Sequence, residues 1–224
     1  MNMRIILVDK NPAVVKALHT AFAAERGFDF AFGSLLDQAV DAWVTPTNSH
    51  GDMSGGLDGA IRGRLGAPIQ ARVQAEIRRQ HGGYLPVGFA TCVATGRQSP
   101  SFLISAPTMS EASVDVSATL NAALACCAAL QAVAQYNREH HNVIRSLAMT
   151  GLGTGTGRVS PETCADLMFT AFKLFQDQSF ASFPEAHAAL AEVLGPAASE
   201  RDQVVAFAAR ARTIRDSGIA ALWG

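Results

Sequence analysis

Thr45-Pro-Thr-Asn-Ser-His-Gly-Asp-Met-Ser-Gly-Gly-Leu-Asp-Gly-Ala-Ile61 is the stretch whose reading decides the fold of this chain. It follows Ala42-Trp43-Val44, an apolar run that reads as a buried strand, and its last part, Gly55 to Ile61, reads as the start of a helix. A glycine-rich loop that leaves a strand and enters a helix N-terminus aims several backbone N–H groups at one spot, where the helix dipole favours an anion. Glycine lets the backbone approach a ligand closely and take positive φ. Asn48 and Asp58 are the polar side chains placed to do more than hold a phosphate.

A second loop of the same kind lies downstream. His141 to Thr150 reads as a strand, Gly151-Leu-Gly-Thr-Gly-Thr-Gly157 follows it directly, and a helix begins around Ser160-Pro161-Glu162. Two such loops in one domain suggest a ligand gripped between them. The plain alternative is that both are tight turns.

Outward from these loops the pattern is that of an α/β domain. Arg4-Ile-Ile-Leu-Val8 reads as a strand buried on both faces. Asn11 is placed to cap a helix with Pro12 at its first position, and that helix runs to about Glu25 before Gly27. Phe28 to Phe32 alternates as a second strand. Asp9, between the first strand and the first helix, suggests a ribose or phosphoryl contact, but an acid at a helix entry is the preferred reading. A short helix over Gly56–Leu65, a break at Gly66-Ala67-Pro68 and a helix to His81 come next, with Val73 and Ile77 as its apolar stripe and Arg72, Arg78 and Arg79 solvated. Leu85 to Thr95 reads as a strand, joined through Gly96–Pro100 to a partner over Ser101–Ala106. Pro107-Thr108-Met109 then falls at a strand end, where ligands collect in α/β sheets. A long Ala/Leu-rich helix is expected from about Ser117 to Glu139, ending in His140 and His141, which suit a helix C-terminus better than a metal. After the second loop, Cys164, Leu167, Met168, Ala171, Leu174 and Phe175 form the core face of another helix. Residues 1–180 are expected to form the ligand-binding domain, and residues 181–224 a helical extension packed on it.

Composition narrows the function classes. A chain of 224 residues holds one sizeable core. A net charge of −1 gives no footprint for nonspecific nucleic-acid binding. No apolar run reaches membrane-spanning length without charges or glycine, and the N-terminus lacks the layout of a secretory signal. Cys92, Cys126, Cys127 and Cys164 have no metal-ligand spacing, and buried thiols fit better than disulfides, so a cytoplasmic location is expected. No cofactor and no metal is expected. His50 and Asp52 could be two metal ligands, but no third is visible, and solvated loop residues fit better.

Several chemistries are excluded by spacing. A P-loop needs a lysine and a hydroxyl residue after its last glycine, whereas Gly157 is followed by Arg158-Val159. The dinucleotide fingerprint needs its third glycine three residues after the second, where this chain has Thr156 or Arg158. No Ser or Cys nucleophile stands beside an evident base.

The two loops together resemble the macro domain, a family that binds ADP-ribose. That family has a strand ending in Val-Asn-Ala-Ala-Asn, a loop, then Gly-Gly-Val-Asp-Gly-Ala-Ile; here Val44-Thr-Pro-Thr-Asn48 is followed by Gly55-Gly-Leu-Asp-Gly-Ala-Ile61. The Asn48-to-Asp58 spacing looks like that of the family's hydrolase branch. Gly151–Gly157 falls where the family places its diphosphate loop, and the likeness covers roughly residues 28 to 175. It implies a three-layer α/β/α fold with a mixed central sheet, and a ligand site at the C-terminal strand ends. It further implies that Asn48 contacts the distal ribose and that Asp58 positions water or a ribose hydroxyl near the anomeric carbon, these two being the candidate catalytic residues. Thr47, Asn48, Gly55, Gly56, Leu57, Gly151, Leu152, Gly153, Thr154, Gly155, Thr156 and Gly157 are the candidate ligand-binding positions. Asp58 could equally cap its helix. Three departures stand out: Thr45 replaces the first asparagine, Arg62 stands where the hydrolases often carry histidine, and Gly33-Ser34-Leu35 lacks the acid that often reads the adenine amine.

The expected function is binding of ADP-ribose or a related NAD-derived nucleotide. As an enzyme, the protein would hydrolyse an ADP-ribosyl linkage on a modified macromolecule or a small derivative; as a reader, it would only bind. The alternative from a different class is a non-catalytic assembly protein whose glycine loops are scaffolding and whose helical tail mediates association.

Overall fold

A computed structural model describes residues 3–177, so the expectation of a helical extension over residues 181–224 lies outside the described residues. Six strands form one mixed sheet: β1 Arg4–Asp9, β2 Phe28–Phe32, β3 Ala42–Thr45, β4 Thr91–Ala94, β5 Phe102–Ser105 and β6 Ser146–Met149. Their spatial order is β2-β1-β6-β3-β5-β4, with every neighbouring pair parallel except β4 and β5. The helices are α1 Pro12–Phe22, α2 Gly56–Leu65, α3 Pro68–His81, α4 Asn121–Glu139 and α5 Pro161–Asp177.

The central strands read as continuous apolar runs because both their faces are covered. On one face Ile5, Leu7, Val44, Ile104 and Leu147 pack against α1, α4 and α5. On the other, Ile6, Val8, Trp43 and Leu103 meet Ile61 and Leu65 of α2 and Ile69, Val73 and Ile77 of α3. This is the three-layer α/β/α arrangement with a mixed sheet that the motifs imply. The small residues of α4 let it lie close to α5. Cys126 Sγ donates to Met168 O (3.7 Å) and Cys127 Sγ to Ala171 O (3.4 Å). All four cysteines are free, and burial pushes the Cys127 thiol up to about 12, so it stays protonated and serves packing.

Local expectations hold at most boundaries and fail at three. Asn11 caps α1 through Oδ1, which accepts from Ala13 N at 3.0 Å. Gly82, in the left-handed region at φ 66°, closes α3. The strand expected over Leu85–Thr95 shrinks to β4, because Pro86 and Gly88 (φ 99°) turn the chain and Leu85 N bonds Ser49 O instead of a sheet neighbour. The strand expected from His141 shrinks to β6. His141 and Asn142 take positive φ, and Ile144 is held by the side chain of Asn137. The long helix starts at Asn121 rather than about Ser117, after turns in which Thr119 bonds Val116 O. His140 ends α4 as expected, stacked on Tyr136 at 4.0 Å.

β6 is seated between β1 and β3 by a side chain as well as by the sheet. Asp41 Oδ2 accepts from Arg145 N and Ser146 N, both at 2.8 Å, and from Ser146 Oγ at 2.9 Å. Among the described residues no helix is long and apolar enough to cross a membrane.

Phe22 anchors the α1–α5 face, with Phe28, Phe169 and Phe172 ring centroids 4.7, 5.3 and 5.8 Å away. Phe22→Ala is expected to cost about 3–5 kcal/mol in denaturant unfolding, because the rigid ring cluster cannot collapse into the space left. A loss below about 1 kcal/mol would show that this face is loosely packed.

Candidate functional site

Four parallel strands (β1, β3, β5 and β6) end on the same side of the sheet, and their following loops enclose a cleft of about 600 Å³. That volume suits a small-molecule ligand. The cleft runs across the sheet. Asp9, Lys10 and Gly33–Leu36 wall one end, the Gly151–Gly157 loop and the start of α2 form the middle, and Asn48, Thr108 and Met109 lie toward the other.

The middle is rich in unpartnered amides. α2 starts at Gly56 behind Gly55, which has no side chain to cap it, so the first-turn N–H groups of residues 56–58 have no acceptor among the described residues. In the second loop, Gly151 N donates to Asp9 Oδ2 (3.2 Å) and Leu152 N to Met168 Sδ (3.5 Å). The N–H groups of Gly153, Gly155, Thr156 and Gly157 have no partner among the described residues. The loop is kept tight by Val159 N to Gly153 O (3.1 Å) and Thr154 Oγ1 to Gly151 O (2.8 Å). A Cβ at Gly157 would sit 2.7 Å from Gly153 O, so only glycine closes this turn. Two rows of donors free among the described residues line one cleft, a combination suited to an anion with several oxygens. α5 does not share in this, since Ser160 Oγ caps it by accepting from Thr163 N (3.2 Å).

Asn48 closes the loop after β3. Its Oδ1 accepts from His50 N (3.0 Å) and Asp52 N (3.2 Å), and its Nδ2 is an uncommitted donor among the described residues, at the cleft. Asp52 in turn holds Ser54 through both carboxylate oxygens. His50 pairs with Glu111 at 3.1 Å, and no group of three His, Cys, Asp or Glu side chains stands at metal-binding spacing among the described residues.

Asp58 does not cap its helix. The Thr45 hydroxyl, at the end of β3, donates to Asp58 Oδ1, and no side chain caps α2. Asp58 lines the cleft, and burial raises its pKa from 3.8 to about 6. The Thr45 and Thr47 hydroxyls pull it partly back, and the neighbouring charge of Asp52 raises it further. Thr47 Oγ1 favours the carboxylate by proximity but makes no hydrogen bond of ordinary geometry. Thr45, which replaces the asparagine of the motif, is therefore what positions Asp58.

The cleft gathers Asn48, Gly55, Gly56, Leu57, Asp58, Gly151, Gly153, Thr154, Gly155, Thr156 and Gly157. Two candidate binding positions fall outside it. Thr47 is buried (1 % exposed) because it shares the inward face of the β3 segment with Thr45, and Leu152 (0 % exposed) turns into the core. Arg62 points to Gln70 Oε1 (3.1 Å) and does not line the cleft. Asp9 is the residue the sequence undervalued. It does take the helix-entry role, with Oδ1 accepting from Asn11 N at 2.9 Å, but its other oxygen fastens the second glycine loop. Lys10 reaches the cleft beside it. The available signal was their place at the C-terminal end of a strand parallel to β3.

Comparison with known proteins agrees with this architecture. The family model for the macro domain matches residues 44–168. An uncharacterized protein of Aquifex aeolicus (strain VF5) is 32% identical over 146 residues, spanning 64% of this chain and 79% of its own. Among solved structures, the macrodomain of Mycobacterium tuberculosis DarG superposes with a TM-score of 0.50 at 24% identity, over 64% of this chain and 88% of that one. The Oceanobacillus iheyensis macrodomain with ADP gives a TM-score of 0.52 at 16% identity, over 84% and 90%. With the glycine loops, their sheet and more than half the chain accounted for, the protein belongs to the macro domain family.

Proposed function

We propose that the cleft binds ADP-ribose or a related NAD-derived nucleotide, and that the protein hydrolyses an ADP-ribosyl linkage there. One arrangement carries this reading: two rows of free backbone amides, an Asn48 amide with a free donor among the described residues and a largely buried Asp58 carboxylate share a single cleft. The amide rows accept the diphosphate. Asn48 Nδ2 donates to a hydroxyl of the distal ribose. The related fold of the Oceanobacillus iheyensis macrodomain holds ADP, which supports a nucleotide in this cleft.

Asp58 is suited to a general base. Its pKa of about 6 keeps it ionised at neutral pH yet basic enough to take a proton. Its Oδ2 accepts no hydrogen bond among the described residues. Water oxygen bonds to the anomeric carbon of the distal ribose as the bond to the modified group breaks. The water proton passes to Asp58, and the leaving group takes a proton from solvent. The carboxylate also stabilises the positive charge that grows on the ribose. The substrate class is an ADP-ribosylated macromolecule or small molecule, and the buried Asp58 carboxyl is the feature that supports hydrolysis over binding alone.

Calorimetric titration of ADP-ribose, with AMP and NAD as comparators, tests the site. Saturable binding that prefers ADP-ribose is expected, weakened about tenfold or more in Asn48→Ala; no binding at millimolar ligand would overturn the proposal. Turnover of an ADP-ribosylated substrate is expected to fall by about 10²–10⁴-fold in Asp58→Ala with ADP-ribose affinity largely kept. Unchanged turnover would remove Asp58 from the mechanism. In the wild type, kcat/KM should climb as pH rises through about 6 and then level off.

Stability provides an independent readout of the same carboxyl. Its folded pKa, about 6, lies above the ordinary 3.8, so the folded state holds the proton more tightly. Ionisation therefore removes stability as pH climbs from about 4 to above 6, by up to about 3 kcal/mol. Asp58→Asn keeps an acceptor for Thr45 and has no charge to bury. Its stability advantage over wild type should grow across that window and plateau above about pH 7. A pH-independent difference would mean that the carboxyl is well solvated.

A further inference from the structure

The end of the cleft away from Asp58 has its own chemistry. If Asn48 and Asp58 hold the distal ribose and the amide rows hold the diphosphate, the base-side ribose and the base lie over the ends of β1 and β2, an order that rests on the binding mode proposed above. No carboxylate is free there to accept from an adenine amine. Among the described residues Asp9 is the one acid lining that end, and its two oxygens are already engaged by Asn11 N and Gly151 N. Ser34 Oγ accepts from Leu36 N, which leaves its hydroxyl hydrogen to donate outward. Lys10 is the only lysine or arginine lining the cleft among the described residues, and it makes no ion pair or hydrogen bond there. It stands just ahead of the Asn11 cap of α1, and the Asp9 carboxylate beside it is taken up by Asn11 N and Gly151 N, which leaves the Lys10 ammonium as the unpaired charge at this end. In dinucleotide sites an acid reads the ribose 2′-hydroxyl, and a cation in its place accommodates a 2′-phosphate.

We propose that this end of the cleft is a phosphate subsite, with Lys10 as its specificity-determining residue, and that the nucleotide it takes is a 2′-phosphorylated ADP-ribose of the kind derived from NADP. Lys10 pairs with the 2′-phosphate, and the Ser34 hydroxyl donates to it. Electrostatic attraction toward the cleft then also speeds encounter with so highly charged a ligand.

The test is calorimetry on the full chain at low and high salt with three ligands: ADP-ribose, its 2′-phosphate, and an isomer carrying the extra phosphate on the distal ribose. The 2′-phosphate is expected to bind about tenfold tighter than ADP-ribose, an advantage that shrinks with salt. Lys10→Ala should abolish that advantage and Lys10→Glu should invert it, each read as the ratio of the 2′-phosphate and ADP-ribose affinities within the same variant, so that a general loss of anion affinity cancels. Lys10 is exposed and unpaired, so both variants should melt with the wild type. Equal affinity for ADP-ribose and its 2′-phosphate would overturn the subsite while leaving the binding proposal intact. So would an advantage that survives Lys10→Ala, or an equal gain from the distal isomer. Failure of all three ligands to bind would overturn both.

Discussion

The bond from the Thr45 hydroxyl to the Asp58 carboxylate sets the character of the cleft. An acid in the third position of a helix ordinarily reaches back to the capping residue and satisfies an orphan N–H. Here Gly55 offers no side chain, and the sheet draws the acid down to the end of β3. The bare Gly55 cap leaves the first-turn amides of α2 without a side-chain acceptor, and the carboxyl held at the end of β3 is taken partly out of water, which raises its affinity for a proton against the lowering effect of the Thr45 hydroxyl. Substituting asparagine for Thr45 would keep a donor but change its reach, so the departure from the family motif goes with a particular placement of the acid.

The rest of the molecule holds the two glycine loops at a fixed separation. β6 carries the second loop, and it is inserted between β1 and β3 rather than added at an edge. Asp41 seats its start against the β3 side of the sheet, and Asp9 ties Gly151 to the end of β1. Behind the loop, Leu152 and Val159 are buried in the same core as α4 and α5. This support would keep the loop's amides aligned on the oxygens of the proposed ligand, since a displacement of about 1 Å would misalign such donors.

The three short or shifted elements share a cause. Leu85–Ala90, His141–Arg145 and Ser117–Leu120 have the composition of a strand or a helix, but side-chain and loop hydrogen bonds offered their backbone groups better partners. Leu85 N found Ser49 O, and Ile144 N found Asn137 Oδ1. Propensity is a weak prior against partners of that kind.

Local chemistry, written in neighbouring residues, was therefore legible in the sequence. The Asn11 cap, the glycine ends of α2 and α3, the apolar β-branched strands and the two glycine loops each depend on a few adjacent positions. The motif spacing also placed Asn48 and Asp58 at one site. Other features were decided by tertiary structure alone: that Thr47 and Leu152 turn inward, that Asp58 bonds Thr45 instead of its own helix, and that Asp9 and Lys10 join a cleft with the Gly151–Gly157 loop, more than a hundred residues away. Those outcomes depend on the strand order and on which face of the sheet each helix covers. Burial and long-range hydrogen bonding are properties of the packed layers, and no window of adjacent residues contains them.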